Sequence, residues 1–465
     1  MASAQNDFSK GSVVGNIMGM AIPMTAAQLI NLLYNVVDRI YIGYIPEHAT
    51  LSLTGLGVCL PVITAVMAFA NLFGMGGAPL CSIERGRGNQ KEAEAIMGNA
   101  FTLMVICGIL LTILGIVFRR PLLYLFGASD STYPYAESYM TIYLLGSVFV
   151  MMGLGMNAFI NSQGFGRIGM QTVLLGAVAN IILDPVFIFG FRMDVRGAAL
   201  ATIISQFLSA AWVLRFLFSD RSILRLKRET MVLKKARVLK IVSMGMSSFA
   251  AGFTNSVVAV ACNATLQTWG GDLYVGVMTV IHSVREIAEN LVKGLTGGSQ
   301  PVLGYNFGAG QYDRVKKAIR FLSVSTIAFT TFCWILISIF PETFIHIFNR
   351  DETLVQAAIP AVRVYFFGFF MMSLQFSGQT VFQALGKAKY AIFFSILRKV
   401  VIVAPLTILL PRWISPSVNG VFLAEPISNF IGGTACFVTM LIVVGRELKA
   451  AQKEQDVMAD ANIRC

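Results

Sequence analysis

The chain has 465 residues, of which 56% are hydrophobic and 13% charged, with a net charge of +12. A soluble domain carries roughly 25% charged residues. The deficit here runs from end to end, which excludes an ordinary soluble fold and points to a polytopic membrane protein. Its spans are expected to be α-helices, because lipid-exposed backbone must satisfy its own hydrogen bonds; the alternating segments of about 10 residues that mark a membrane barrel are missing.

Twelve apolar runs are predicted to cross the membrane: 13–43, 51–82, 95–118, 136–160, 168–190, 196–218, 238–268, 273–299, 319–340, 355–384, 390–411 and 419–444. Each can span a hydrocarbon core of about 30 Å. The first follows a short polar start without a small-residue cleavage pattern, so it is expected to be a membrane helix and not a removable signal. Between the sixth and seventh lies SDRSILRLKRETMVLKKARVLK, the longest charged stretch. With both termini inside, about 23 Lys and Arg fall in inner segments and 6 outside. That bias sets orientation. It also accounts for the basic charge as topology, so no nucleic-acid partner is expected. The expected organisation is an N-terminal six-helix lobe (1–218), a basic cytoplasmic linker (219–237), a C-terminal six-helix lobe (238–445) and a cytoplasmic tail (446–465). The chain is placed in the cell membrane, as a monomer.

The seven Cys are scattered without CxxC spacing, and the three His form no HExxH. Free thiols are expected, and no cofactor or catalytic metal. GMGG (74–77) and TGGS (296–299) follow no strand and lack GK[ST], so they are helix-packing segments and not phosphate loops. ATP is therefore not the expected energy source.

The two halves repeat. GMGGAPLCSIERGRGNQ (74–90) resembles TGGSQPVLGYNFGAGQY (296–312) at an offset of 222; QGFGR (163–167) resembles QALGK (383–387) at 220, which also sets Pro185 on Pro405; GAALAT (197–202) resembles GVFLAE (420–425) at 223. An even number of spans per half gives both the same orientation, hence a parallel repeat about an axis along the membrane normal. The fold class is all-α, with twelve transmembrane helices in two six-helix lobes.

Against this apolar background a few polar residues stand out. In NIILDPVFIFG (180–190), Asn180 and Asp184 are four apart and share a helix face, and Pro185 frees a carbonyl one turn back. A carboxylate at the centre of a membrane helix costs about 2.5–3.5 kcal/mol on insertion scales. In the first span Asn31, Tyr34, Asn35 and Asp38 make a polar stripe at i, i+3, i+4 and i+7. Thr202 adds a hydroxyl, and Asn157 and Asn161 are candidates to line the same cavity. Two nearby acids in low dielectric cannot both stay charged alone, so the pair is expected to hold a proton, or a Na⁺ with the surrounding amide and hydroxyl oxygens. The alternative is a local role: Asp184 capping or pairing nearby, and Arg39 satisfying Asp38. At the 220 offset Asn180 falls on Val400 and Asp184 on Ala404, so the second half drops the acids.

LYNVVDRIYIG (33–43), the GG…GRGNQKEA segment (76–93), NIILDP (180–185), GAALATIISQ (197–206) and SQPVLGYNFGAGQYD (299–313) together resemble the multidrug and toxic compound extrusion (MATE) family over nearly the full length, most closely the bacterial branch of MepA-type exporters. The resemblance implies a V-shaped pair of six-helix lobes and antiport of drug-like solutes against H⁺ or Na⁺. It carries Asp38, Asn180, Asp184 and Thr202 over as the coupling-cation site and Tyr34 as a residue lining it. Small-molecule substrates and the lipid bilayer are the implied partners.

The second half has its own intramembrane charges: Arg285, Glu286, Glu289 and Lys293 in HSVREIAENLVKG (282–294), with Arg363, Arg398, Lys399 and Glu425. They are either a self-neutralising network that holds the lobe together or a substrate or second cation site. Arg285, Glu286, Glu289, Arg363 and Glu425 are the cavity candidates. Their basic excess permits zwitterionic or anionic solutes. The leading expectation is a cation-coupled multidrug exporter, and the runner-up a lipid-linked precursor flippase of the same broad superfamily. A membrane enzyme should show a convergent nucleophile–base set, which this sequence lacks.

Overall fold

The computed structural model describes residues 6–44 and 49–464, and among these it is helical with no strand. Twelve membrane-spanning helices follow in order: α1 (Val13–Gly43), α2 (Ala49–Gly86), α3 (Gln90–Val117), α4 (133–162), α5 (166–190), α6 (Asp194–Phe218), α7 (235–270), α8 (272–308), α9 (Tyr312–Ile339), α10 (352–384), α11 (388–412) and α12 (417–457). Between α7 and α8 the hydrogen-bond ladder runs on almost without a gap. The break is at Gly271, with φ 65° and ψ −165°, a conformation only glycine adopts cheaply.

The backbone itself repeats. α4 bends by 60° at Gly146 and α10 by 48° next to Gly368, 222 positions later. Gly88 and Gly310, and Gly164 and Gly386, hold positive φ at the same spacing. The residues that open α3 and α9, Asn89 and Gln311, and those that open α5 and α11, Phe165 and Lys387, keep the same spacing, all at negative φ. This corrects the 220 spacing read from QGFGR and QALGK: those strings match by composition two positions out of structural register. Further along, Gly197 packs on the backbone of Phe187 and Ile188, and Gly420 on Leu410 and Pro411, all 223 apart. One residue has been added to α11 in between, where Leu397–Val403 forms a π-helical stretch. A π-bulge is how a helix absorbs a single extra residue.

The chain resolves into two compact units, Ile22–Phe249 and Phe8–Ala21 with Ala250 onward. They divide the chain differently from the repeat boundaries in two places. The start of α1 belongs to the second unit: Phe8 is buried, stacks edge-on with Tyr305, and Arg314 donates to the carbonyls of Phe8, Lys10 and Gly11. Gly298 of α8 lets the Ala21 backbone approach closer than any Cβ would allow. The start of α7 belongs to the first unit in the same way, with Gly76 of α2 against the backbone of Ile241 and Gly245.

The basic stretch 219–237 is not a loose tether either. Leu224 and Leu226 are buried; Gln163 Oε1 accepts from the Leu224 N–H at 2.8 Å and the Ser222 hydroxyl at 2.9 Å; Asn99 donates to the carbonyls of Thr230 and Val232. Lys227 pairs with Glu94 at 2.7 Å and Arg237 with Glu92 at 2.6 Å. The stretch thus forms a cap on α3 and belongs to the first unit. The core of that unit runs through α2, α3, α4 and α6, and that of the second through α7, α8, α10 and α12. The six described Cys are unpaired.

Candidate functional site

Two intramembrane sites emerge, one in each unit. In the first, α5 places Asn180 and Asp184 one turn apart on the face turned away from lipid, both almost fully buried. The Asn180 amide donates to Asp184 Oδ1 at 3.3 Å. Asp184 Oδ2 and Asn180 Oδ1 are buried and accept no hydrogen bond from any described donor. Asp38 of α1 sets its carboxyl within hydrogen-bond reach of Asp184, and Tyr34 lies close enough to feel both charges. Two carboxyl groups brought this close in a low-dielectric site favour a shared proton or another bound cation over two bare charges. The Arg39 side chain, a possible partner of Asp38, lies outside the described residues.

Beside this pair is a cavity of about 90 Å³. Asn31, Tyr34, Asn157, Asn180 and Thr202 line it, with Met67 and Leu154 as apolar wall. Asp38 and Asp184 sit outside its lining. Asn157 donates to the Gly169 carbonyl at 3.2 Å, leaving its own carbonyl oxygen unpaired. Asn161 packs against Gly169 and Asn35 donates to Asn31 O at 2.7 Å on an exposed face, so neither lines the cavity. Tyr139 was not singled out from the sequence, yet it is buried, stacks on Tyr143, and reaches Thr202 and the field of Asp38. Its i, i+4 partnership with Tyr143 on an otherwise apolar helix was the available signal. Among the described residues no group of three or more His, Cys, Asp and Glu could hold a metal ion. Any cation here would be held by two carboxyls helped by amide and hydroxyl oxygens, a set of hard ligands.

The second unit holds a larger cavity, about 390 Å³. Arg285, Glu286, Glu289, Lys399 and Glu425 line it, but Arg363, which shares no such placement, is exposed elsewhere. Glu425 is the hub. Its Oε1 takes Arg285 Nη1 at 2.9 Å, Lys399 Nζ at 3.1 Å and Arg398 Nη2 at 3.5 Å, and its Oε2 takes Lys399 at 3.2 Å. Arg285 also pairs with Glu289, whose second oxygen faces Lys293 at 3.6 Å, and donates to the Tyr365 hydroxyl. Arg398 donates to Asn429 Oδ1. Consecutive residues of an α-helix point about 100° apart, so Arg398 and Lys399 would ordinarily not both face inward. They lie in the π-helical stretch of α11, and both reach Glu425.

The two cavities are related by the repeat. Asn31 of the first corresponds to Asn255 of the second, Met67 to Glu289, Asn180 to Val403 and Thr202 to Glu425, at spacings of 222–224, and all eight are lining residues.

Comparison with known proteins gives the same picture from another direction. The MatE family profile matches twice, over residues 23–186 and 247–409. The multidrug export protein MepA of Staphylococcus saprophyticus is 24% identical over 439 residues, 94% of each chain. Among solved structures, a MATE protein crystallised in a bent conformation superposes with a TM-score of 0.90 at 20% identity, covering 98% of this chain and 99% of that one. A MOP superfamily transporter from Pyrococcus furiosus, described as having a binding pocket of reversed polarity that suggests a different function, does so at 0.89 and 20%, covering 97% and 99%. At such identities the structures establish the fold, twelve spans in two lobes.

Proposed function

The chain belongs to the MATE family of transporters, and from that premise we propose that it is a secondary active multidrug exporter, antiporting drug-like organic solutes against H⁺ or Na⁺ by alternating access of its two lobes. The relatives are transporters and exporters, and the many apolar helices make this a multi-pass membrane protein. The observation that carries the coupling is the buried Asp184 carboxyl beside that of Asp38, with Asp184 Oδ2 satisfied by no described donor. Binding a cation there removes an electrostatic penalty, so occupancy biases the balance between two packings of the lobe. One cation moving inward across 100 mV releases about 2.3 kcal/mol. For a solute of no net charge exchanged one for one, that sustains a gradient in the tens-fold range, since about 1.4 kcal/mol is tenfold; for a monocationic solute the exchange is electroneutral and the cation's concentration gradient is the drive. The Lys and Arg bias supports an orientation with both termini in the cytoplasm, and the reading is completed by a cell-membrane location, a monomer, small-molecule substrates, no bound cofactor and no enzymatic turnover.

The test uses purified protein in liposomes. Efflux of a fluorescent cationic dye is followed under an imposed pH gradient or an imposed Na⁺ gradient, with Asp184→Asn as control. Movement driven by one gradient and lost in the variant supports the exporter and names its ion. Dye that ignores both gradients overturns the reading and moves weight to the lipid-linked precursor flippase, which the basic excess of the second cavity favours.

A further inference from the structure

We infer that the second-unit cavity is a recognition site for the carboxylate of an amphipathic zwitterion, held by Lys399, Arg285 and His282, with Glu286 at the rim taking the solute's cationic end. The inference rests on the transporter reading in one respect only, that the solute reaches the cavity from the membrane or the water.

The count of charges is the first argument. Around the cavity stand Arg285, Lys293, Arg398 and Lys399 against Glu286, Glu289 and Glu425, one cation too many. A buried excess charge is costly unless it is paired. The distribution of bonds is the second. Both oxygens of Glu425 and both of Glu289 already face cations. The spare capacity is therefore in donors. Lys399 has three N–H groups and makes two contacts, both to the Glu425 carboxylate. Arg285 turns Nη2 to nothing better than the Met372 sulfur at 3.8 Å. His282 lines the cavity with a buried Nε2 that has no hydrogen-bond partner among the described residues, and in one tautomer that atom is a donor. A carboxylate fits this demand; a cation placed at the same spot meets Lys399 and Arg285.

The third argument is the shape and the wall. About 390 Å³ lies within the range of small-molecule pockets, and Val258, Met278, Val403 and Val421 give it an apolar side. Glu286, the one acid here without a recorded ion pair among the described residues, is exposed, so the cationic end of a zwitterion would sit toward the opening. The repeat adds a fourth. The first-unit cavity occupies the related position, and there the unmet amide atoms are acceptors, Asn157 Oδ1 and Asn180 Oδ1, with Asp184 Oδ2 just outside the lining. The duplicated scaffold thus presents one acceptor-rich and one donor-rich cavity.

Two fluorescent probes differ by the group in question. Nε-dansyl-lysine carries an α-carboxylate beside its amine, and dansylcadaverine is the same molecule without it. Binding of each to the full-length protein in nanodiscs is read by dansyl emission, with no gradient imposed, so the outcome is separate from that of the export assay. Dansyl-lysine is expected to bind about tenfold more tightly than dansylcadaverine, the preference of a site built to pair a polar group over an analogue lacking it. Lys399→Met is expected to bring the two within about twofold of one another, by weakening dansyl-lysine alone. Should Lys399→Met not accumulate, His282→Phe, which leaves every ion pair intact, is expected to weaken dansyl-lysine about threefold and spare dansylcadaverine. Equal or tighter binding of dansylcadaverine to the wild type, or a preference unchanged by these substitutions, overturns the inference. Equal loss of dansyl-lysine binding on raising chloride alone, with no discrimination between probes, would reduce the cavity to a halide site and overturn it as well.

Discussion

The two cavities occupy repeat-related positions and carry opposite needs. In the first unit the Asp184 and Asp38 carboxyls meet, and Asp184 Oδ2 and the amide oxygens of Asn157 and Asn180 accept nothing from any described donor. In the second, Thr202 has become Glu425, Asn180 has become Val403, and three basic side chains converge on the new acid. The helix framework tolerates this because the polarity of a membrane cavity resides in a handful of side chains, while the bends and close approaches that shape it reside in glycines the halves share. A duplicated scaffold can therefore carry a cavity with unmet acceptors in one half and a cluster of cations in the other while keeping the close approaches its shared glycines allow.

The sharpest way to break the comparison is to neutralise each acid in turn. Asp184→Asn is expected to abolish gradient-driven export, a loss of about a hundredfold or more, with the protein still inserted and monodisperse by size-exclusion chromatography; the penalty removed is that of a buried charge. Asp38→Asn should follow it. If either variant aggregates instead, that acid is structural. Glu425→Gln should behave in the opposite manner. It strands Arg285, Arg398 and Lys399 around a neutral amide, and breaking such a buried pairing costs about 3–5 kcal/mol, so the expected result is a large fall in yield and melting temperature. A Glu425→Gln protein as stable as wild type would show that the cluster does not hold the unit together.

Smaller effects test the shared scaffold. Gly76→Ala and Gly298→Ala each drive a methyl into backbone, of Ile241 in one unit and Ala21 in the other. Overpacking of this kind costs about 1–3 kcal/mol, and the two variants should lose thermal stability by similar amounts; a clear asymmetry would mean that the repeat is not mechanically equivalent. Thr202→Ala, which removes one hydroxyl beside the acid pair, is expected to reduce export by a factor of roughly 2–10, the worth of a net hydrogen bond of about 0.5–1.5 kcal/mol. Arg363→Ala, exposed and away from the cavity, should change neither export nor probe binding.

Much of the architecture was legible in the sequence because membrane spans are long, apolar and bounded by charge. The predicted runs fall within the observed helices, save for one residue at Phe118 and one at Phe340, and the break at Gly271 separates two runs that hydrogen bonding alone would merge. The polar stripe on α1 and the Asn180–Asp184 pair were legible for the same reason: polar residues are rare there, and helical spacing tells which share a face. What escaped the sequence depends on geometry that no periodicity records. The two-residue slip in the repeat came from matching QGFGR to QALGK by letters, while the positive-φ glycines Gly164 and Gly386 mark the true register. Arg398 and Lys399 could not have been placed on one side, because an α-helical pattern separates neighbours. Arg363 and Arg285 were both intramembrane cations in sequence, yet of the two only Arg285 meets a carboxylate on another helix, that of Glu425. Tyr139 and His282 were passed over as ordinary residues, and their meaning lies in what they touch or fail to touch.

The start of α1 completes the second unit, and the start of α7 completes the first. A gene fragment that ends after six spans would therefore encode a polypeptide missing the segment that fills its own Gly76 groove, while carrying an orphaned segment with no groove to fill. Expressed separately, the halves should rescue one another only when present together. By the same logic, an ancestor with a single six-span gene would have been an obligate pair exchanging its leading segments, and fusion of two copies would have preserved the exchange as a covalent inheritance.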